Sequence, residues 1–120
     1  MRAVYLYTGP DGHSHFKDGY IHNHTKVNTI STQFTESPAY SHLDWHNAPC
    51  TQFVITLKGM LEFTTHSGQS FIIKPGDVLI ATDITGSGHK WKLINNEPWQ
   101  RAYCIFNQEI DIHTIFQELL

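Results

Sequence analysis

Short apolar runs return along most of this chain, and each is closed by a turn of glycine, proline, asparagine or aspartate. Clear turns lie at Gly9–Gly12, Asn47–Cys50, Pro75–Asp77 and Asn95–Pro98. Such residues supply the backbone angles of tight turns, and apolar runs of about four to eight residues are too short for most helices. About ten such runs predict an all-β fold. A parallel α/β sheet is disfavoured because it needs helices between its strands.

The expected strands are segments that alternate or are rich in β-branched and aromatic residues. Gln52–Lys58 (QFVITLK) is the clearest, because Gly59 ends it and Met60–Thr64 follows as a hairpin partner would. The others are Ala3–Tyr7, Val27–Phe34, Tyr40–His46, Ser70–Ile73, Val78–Ala81, His89–Ile94 and Gln100–Phe106. Residues 13–28 are polar and rich in histidine, and we expect a loop there with at most one strand.

The C-terminal residues follow a different period. Ile112, Ile115, Phe116 and Leu119 are spaced at i, i+3, i+4 and i+7, which places them on one face of a helix. We therefore expect a short C-terminal helix. Its apolar stripe would pack on the β-domain or on a second copy of the chain.

Composition is that of an ordinary globular protein. A chain of 120 residues suits one domain spanning residues 1–120. The eight lysine and arginine residues do not cluster, so we expect no nucleic-acid partner. No apolar run approaches the roughly 18 residues of a membrane helix, and the N-terminus does not resemble a signal peptide. These features predict no membrane partner, a cytoplasmic location and, for Cys50 and Cys104, free thiols.

Two polar residues flank the turn at Asn47–Cys50. His46 precedes the turn and Gln52 follows it, so their side chains would face each other across a hairpin. Because side chains alternate along a strand, His42, Asp44 and His46 are expected on one face. Several polar groups would then converge on one interior, where each needs a partner.

The spacing of these residues resembles the two sequence motifs of the cupin superfamily. The first motif reads His-x-His, three or four residues, Glu, six residues and Gly, and the matching positions here are His46, Ala48, Gln52 and Gly59. The second motif matches in its Pro75–Asp77 turn and in a later histidine, His89. The resemblance covers residues 40 to 106 and implies a cupin-type jelly-roll β-barrel with an internal pocket.

Two of the four positions that hold a divalent metal in metal-binding cupins are changed here. The resemblance implies three His and one Glu, but this chain has Ala48 for the second His and Gln52 for the Glu. His46, Gln52 and His89 remain as metal-ligand candidates, and Asp44, His42 or Asp83 could complete the set. The metal would be iron, zinc, nickel or manganese. A metal-free pocket is the alternative.

Further side chains are expected at the pocket or outside it. Trp91 shares a face with His89 on a regular strand, and Tyr103 is another candidate for the wall, beside His42 and Asp83. The His-x-His pairs at residues 13/15 and 22/24 lie in polar segments without a partner Glu, which predicts solvated loops. A Cys50–His46 nucleophile pair has little support because both would lie on a turn.

Three functions remain open. The first is a metal-assisted oxygenase, isomerase or lyase acting on a small carbonyl compound or acid. The second is a metal-free pocket that binds a small ligand, or an isomerase with His46 as the base and Asp44 orienting its ring. The third is a homodimeric scaffold with a degenerate pocket.

Overall fold

The chain folds into two β-sheets that face each other across an apolar interior, as a computed structural model of residues 1–120 shows. Its strands are β1 (Arg2–Thr8), β2 (Ser14–Ile21), β3 (Thr29–Ser37), β4 (His42–His46), β5 (Gln52–Lys58), β6 (Leu61–Thr65), β7 (Ser70–Ile73), β8 (Val78–Ala81), β9 (His89–Leu93), β10 (Trp99–Phe106) and β11 (Phe116–Glu118). The all-β prediction is therefore confirmed, and residues 13–28 contain one strand, β2, within loops.

The larger sheet has seven strands in the order β11-β2-β1-β8-β5-β10-β3, and the smaller has four in the order β4-β9-β6-β7. Every neighbouring pair is antiparallel except β1 and β8. No strand pairs across the two sheets, so the expected closed barrel is an open sandwich. The fold has no helix long and apolar enough to span a bilayer.

Alternation along the central strands builds two separate cores. In β8, Leu79 and Ala81 point between the sheets, whereas Val78 and Ile80 point to the outer face of the larger sheet. All four are buried, because both faces of this sheet are covered at its centre. An unbroken apolar strand such as β8 is typical of that environment.

The C-terminal helix prediction was wrong in type. Only Ile112–Thr114 form a helical turn, a 3-10 segment that is capped by the Asp111 carboxylate. The chain then continues as strand β11, which pairs with β2. A helix this short is marginal in water, whereas the free edge of β2 offers backbone partners. The apolar side chains of Ile112, Ile115 and Phe116 are still buried, in the outer core of the same chain.

The hairpin expected around Asn47–Cys50 does not form. Strand β4 pairs with β9 in the smaller sheet, and β5 lies between β8 and β10 in the larger one. The turn therefore carries the chain from one sheet to the other. His46 and Gln52 consequently approach the interior from opposite sheets and not from one hairpin.

Candidate functional site

A cavity of about 570 Å³ lies between the two sheets, near the point where the chain crosses between them. Most of its walls are apolar or aromatic, and a few polar groups converge on it, which is the usual character of a small-molecule site. The polar or ionisable side chains of the lining are His46, His89, Gln52, Cys50, Asn47, Gln33, Arg101 and Tyr103.

His46 ends β4 and stands opposite His89 of β9 in the strand ladder. The close approach at this point needs Gly88, whose φ is +76° and whose added Cβ would lie 2.3 Å from the carbonyl oxygen of His46. The Nδ1 of His46 lies 2.8 Å from the backbone carbonyl oxygen of Asp44. Because a carbonyl only accepts, Nδ1 carries the hydrogen, and the neutral ring has its lone pair on Nε2.

Burial lowers the pKa of His46 below its ordinary value, and the neighbouring His89 lowers it further. The hydrogen bond to the Asp44 carbonyl and the charge of Asp83 act in the opposite direction but do not prevail. His46 is therefore neutral at pH 7. Its Nε2 has no hydrogen-bond partner in the protein and can accept a proton from a ligand.

His89 is 3 % exposed, and its Nδ1 donates to Oδ2 of Asp83 at 2.6 Å. Asp83 is fully buried, and the hydroxyl of Ser14 donates to the same carboxylate oxygen at 2.6 Å. The other oxygen, Oδ1, has no partner. A buried carboxylate with so few donors needs a neighbouring positive charge, and His89 is the only ion-pair partner it has. The Asp83 carboxylate therefore fixes which ring nitrogen of His89 carries a hydrogen, namely Nδ1.

The two imidazoles meet edge to face, with ring centres 4.5 Å apart and planes inclined by 60°. Each ring has its Nδ1 tied to an acceptor and its Nε2 without a protein partner. One ring is backed by a carboxylate and the other by a neutral carbonyl. The two rings therefore differ in what holds Nδ1, and both present Nε2 without a protein partner in the cavity wall.

Gln52 and Cys50 occupy the wall beside the histidines without joining them. The thiol of Cys50 donates to Oε1 of Gln52 at 3.6 Å, and no hydrogen bond links Cys50 to His46. Burial raises the pKa of the Cys50 thiol, so the sulfur stays protonated at pH 7. A thiol in this state is a poor nucleophile.

The side chains present do not fit the divalent metal that the fold family implies. His46 and His89 are the only imidazoles in the cavity wall, and nowhere do three His, Cys, Asp or Glu side chains come together as a metal-ligand group. Gln52 offers a neutral oxygen, and Arg101 adds a positive charge to the same wall. A divalent cation would lose its hydration here without gaining an anionic ligand.

The structure separates the predicted site residues into two groups. His46, Gln52, His89, Trp91 and Tyr103 line the cavity.

His42 and Asp44 lie outside the cavity, on the outer side of the smaller sheet. The ladder between β4 and β9 shifts between Leu43 and His46, so strict alternation fails there and His46 turns inward alone. The Asp44 carboxylate accepts from the backbone N–H of Trp45, and only its backbone carbonyl orients His46.

Asp83 lies behind His89 and does not line the cavity. The remaining histidine pairs are also elsewhere. His15 contacts the carboxylate of Asp11 and His13 contacts the hydroxyl of Ser87, both at the surface, while His22 and His24 line a different groove on the outer face of the larger sheet.

Sequence reasoning missed Arg101. Arg101 lines the cavity and is only 6 % exposed. A signal was present, since Arg101 lies two residues from Trp99 and from Tyr103 on β10 and so shares their face. A single arginine within an apolar strand forms no basic cluster, so the charge pattern of the sequence did not predict it as a site residue.

Comparison with known proteins gives the fold. The crystal structure of a DUF861 family protein from Thermotoga maritima is similar, with a TM-score of 0.51 and 27 % sequence identity over 62 % of this chain and 77 % of that chain. No family model and no curated protein sequence matches the chain. DUF861 is a cupin-fold family, so this small all-β protein has a cupin-like fold.

Proposed function

We propose that the cavity catalyses metal-free proton transfer at a carbon next to the carbonyl group of a small organic substrate. The observation that carries this proposal is the contact between two imidazoles with opposite surroundings, one backed by the buried Asp83 carboxylate and one by a backbone carbonyl. The largely apolar walls strengthen the electrostatic interactions of both rings with a substrate.

His46 is the base in this scheme. Its pKa is lowered, so the ring is neutral at pH 7 and presents a lone pair at Nε2. The hydrogen bond from Nδ1 to the Asp44 carbonyl holds that orientation. His46 removes a proton from the carbon next to the substrate carbonyl, and the electron pair moves toward the carbonyl oxygen.

His89 is the acid. The scheme uses His89 as an imidazolium with the Asp83 carboxylate as its counter-ion at Nδ1, so that Nε2–H donates to the carbonyl oxygen as negative charge develops there. The product of this half-reaction is an enol, with one proton on His46 and one lost from His89. Return of the His46 proton to the same carbon, with the enol proton going back to His89, regenerates the substrate and exchanges its hydrogen with solvent. Where that carbon carries a hydroxyl, the hydroxyl gives its proton to His89 and becomes the new carbonyl while His46 protonates the former carbonyl carbon, which gives the isomer, so charge and atoms balance.

Deuterium exchange tests this proposal across several substrate classes at once. The protein is incubated in D₂O with a panel of 2-oxo acids, hydroxy ketones and ketose sugars, and ¹H NMR follows loss of the signal next to the carbonyl. We expect exchange above buffer for one class, reduced on the order of 100-fold or more in His46→Asn and His89→Asn. Asp83→Asn should lower the rate because it removes the charge behind His89.

His42→Asn is the matched control, because His42 lies on the same strand as His46 but outside the cavity. It should exchange as fast as wild type. Circular dichroism and thermal unfolding establish that each variant is folded. Wild-type protein that gives no exchange with any class, or folded His46→Asn and His89→Asn variants with full activity, would rule the proposal out.

A further inference from the structure

Arg101 is a buried positive charge without an acidic partner. It is the third residue of β10, is 6 % exposed, and forms no ion pair with any aspartate or glutamate. Arginine is rarely buried in this way unless it is paired, because an uncompensated charge is costly away from water. The burial of this side chain is therefore best explained by an anionic ligand.

The protein contacts of Arg101 use part of its hydrogen-bonding capacity. Nη1 donates to the hydroxyl of Ser37 at 2.7 Å and to the backbone carbonyl of Trp99 at 3.1 Å. Nε donates to the hydroxyl of Tyr103 at 2.9 Å. Nη2 has no protein acceptor and is not sealed from solvent, so its two N–H groups remain available to a ligand, and Arg101 is one of the residues that line the cavity.

Tyr103 supplies a second donor at the same place. Its oxygen accepts the hydrogen bond from Arg101, so its own O–H hydrogen is free to donate. The tyrosine also lines the cavity. A guanidinium N–H and a neighbouring phenol O–H form a pair of donors for two oxygens that carry one negative charge.

Aromatic rings hold this pair rigidly. The guanidinium lies 3.9 Å from the ring centre of Trp99 and 5.4 Å from that of Tyr103. Stacking of this kind suits arginine and leaves little conformational freedom to lose when a ligand binds. The site is therefore organised before the ligand arrives.

The geometry points to Arg101 and Tyr103 as the anchor for the carboxylate of a small monocarboxylic acid. This inference rests on the proposed function in one respect, since it names the substrate class of the same cavity. A carboxylate fits better than a phosphate, because only two donors converge and the surrounding wall is apolar. Trp99 stacks on Arg101 and contacts Phe63, whose ring in turn contacts His89, so one connected aromatic wall runs from the anchor to the histidines.

Binding of matched acids and amides tests the anchor. Butanoate, benzoate and 4-oxopentanoate are titrated calorimetrically into the full chain, each beside its primary amide, which has the same shape without the charge. We expect one or more acids to bind on the order of tenfold or more tightly than their amides. Arg101→Gln should abolish that preference, and Arg101→Lys should retain only part of it.

Tyr103→Phe keeps the ring that packs on Arg101 and removes only the hydroxyl, so it tests the anchor even if Arg101→Gln does not fold. The preference should fall severalfold in Tyr103→Phe and stay unchanged in Tyr7→Phe, a tyrosine outside the cavity. Equal binding of acids and amides, no binding of any acid by folded wild type, survival of the preference in folded Arg101→Gln, or tighter binding of inorganic phosphate would each overturn the inference.

His89→Asn separates this inference from the proposed function. It should abolish deuterium exchange and leave the preference for acids within about threefold of wild type, because it removes the acid and keeps the anchor. Carboxylate binding without exchange in wild type would uphold the anchor and reject the reaction. Deuterium exchange that is unchanged in Arg101→Gln would uphold the reaction and reject the anchor.

Discussion

At the scale of single residues, the lowered pKa of His46 has a consequence for stability. The unfolded chain has an ordinary histidine that takes up a proton near pH 6.5, whereas the folded protein resists protonation at this ring. Below that pH the unfolded state binds more protons, so the free energy of unfolding falls as pH falls. The contribution is fully present above the unfolded pKa and is lost as the pH drops below it.

We therefore expect wild type to lose stability between pH 7.5 and 5 more steeply than His46→Gln, as measured by urea unfolding across that range. The difference between the two proteins in the slope of unfolding free energy against pH gives the contribution of His46 apart from those of the other eight histidines. His113→Gln, at an exposed position, is the control and should follow wild type. A slope in His46→Gln equal to that of wild type would contradict the pKa shift.

The donor set makes a prediction about metal content. Only two imidazoles reach the cavity, and Arg101 adds positive charge to the same cavity wall. We expect mass spectrometry of untagged protein, purified without chelator and offered iron, nickel, zinc or manganese, to find well under one metal per chain. About one metal per chain that is lost in a folded His46→Ala/His89→Ala double variant would restore a metal-assisted mechanism.

Motif spacing was a good guide to part of the candidate site. It brought attention to His46, Gln52 and His89, and all three line the cavity. It could not show that Asp83 turns back to His89, because a glycine-rich loop between them sets that contact. It misplaced Asp44, since a shift in the strand ladder is invisible in alternation.

At the scale of elements, the sequence predicted the strands better than their partners. The segment Gln52–Lys58 was predicted with the bounds that β5 has, since its apolar and β-branched residues end at Gly59. Its assignment to a hairpin with β4 was wrong, because a turn that crosses between sheets has the same composition as a hairpin turn. The apolar stripe from Ile112 to Leu119 predicted a helix wrongly, and it predicted burial correctly for Ile112, Ile115 and Phe116 but not for Leu119, which is exposed.

Gly59 offers a test of how an element ends. Its φ is +97°, and a Cβ there would lie 2.9 Å from the carbonyl oxygen of Pro98 and 3.1 Å from the Cα of Trp99. Gly76 has a similar φ of +91° and no atom within 4 Å of the same position. The two glycines therefore share the conformational requirement and differ only in packing.

Gly76→Ala should lower the free energy of unfolding by about 1–2 kcal/mol, because alanine must adopt the left-handed conformation there. Gly59→Ala should cost about 1–3 kcal/mol more, because backbone atoms must shift to admit the methyl group. Urea unfolding of both variants beside wild type measures the difference. Equal losses would show that the end of β5 and the start of β10 move apart without strain.

At the scale of the whole molecule, the most exposed large apolar side chains within strands lie on β3. The C-terminal apolar stripe had instead been considered as a contact with a second copy of the chain. Three residues of that stripe, Ile112, Ile115 and Phe116, pack into the outer core of their own chain. Ile30 and Phe34, on the edge strand β3, are instead 74 % and 76 % exposed. Phe34 aligns with Ala102 and Ile55 across the sheet, so the patch continues over its outer face.

Strand β3 lacks the devices that usually protect an edge. Its outer side has no neighbour, it contains no lysine, arginine or proline, and Glu36 is its one charge. A second copy of the chain can pair with such an edge about a two-fold axis, which buries both patches at once. We therefore expect a homodimer joined through β3.

Sedimentation velocity at protein concentrations of about 1 to 100 µM measures the oligomeric state and so checks this expectation. Wild type should sediment as a dimer at the upper end, and Phe34→Lys should sediment as a folded monomer, because the charge blocks both the edge and the patch. Leu119→Lys changes an exposed leucine away from β3 and should remain dimeric. A monomeric wild type throughout, or a Phe34→Lys variant that dimerises as well as wild type, would reject β3 as the contact.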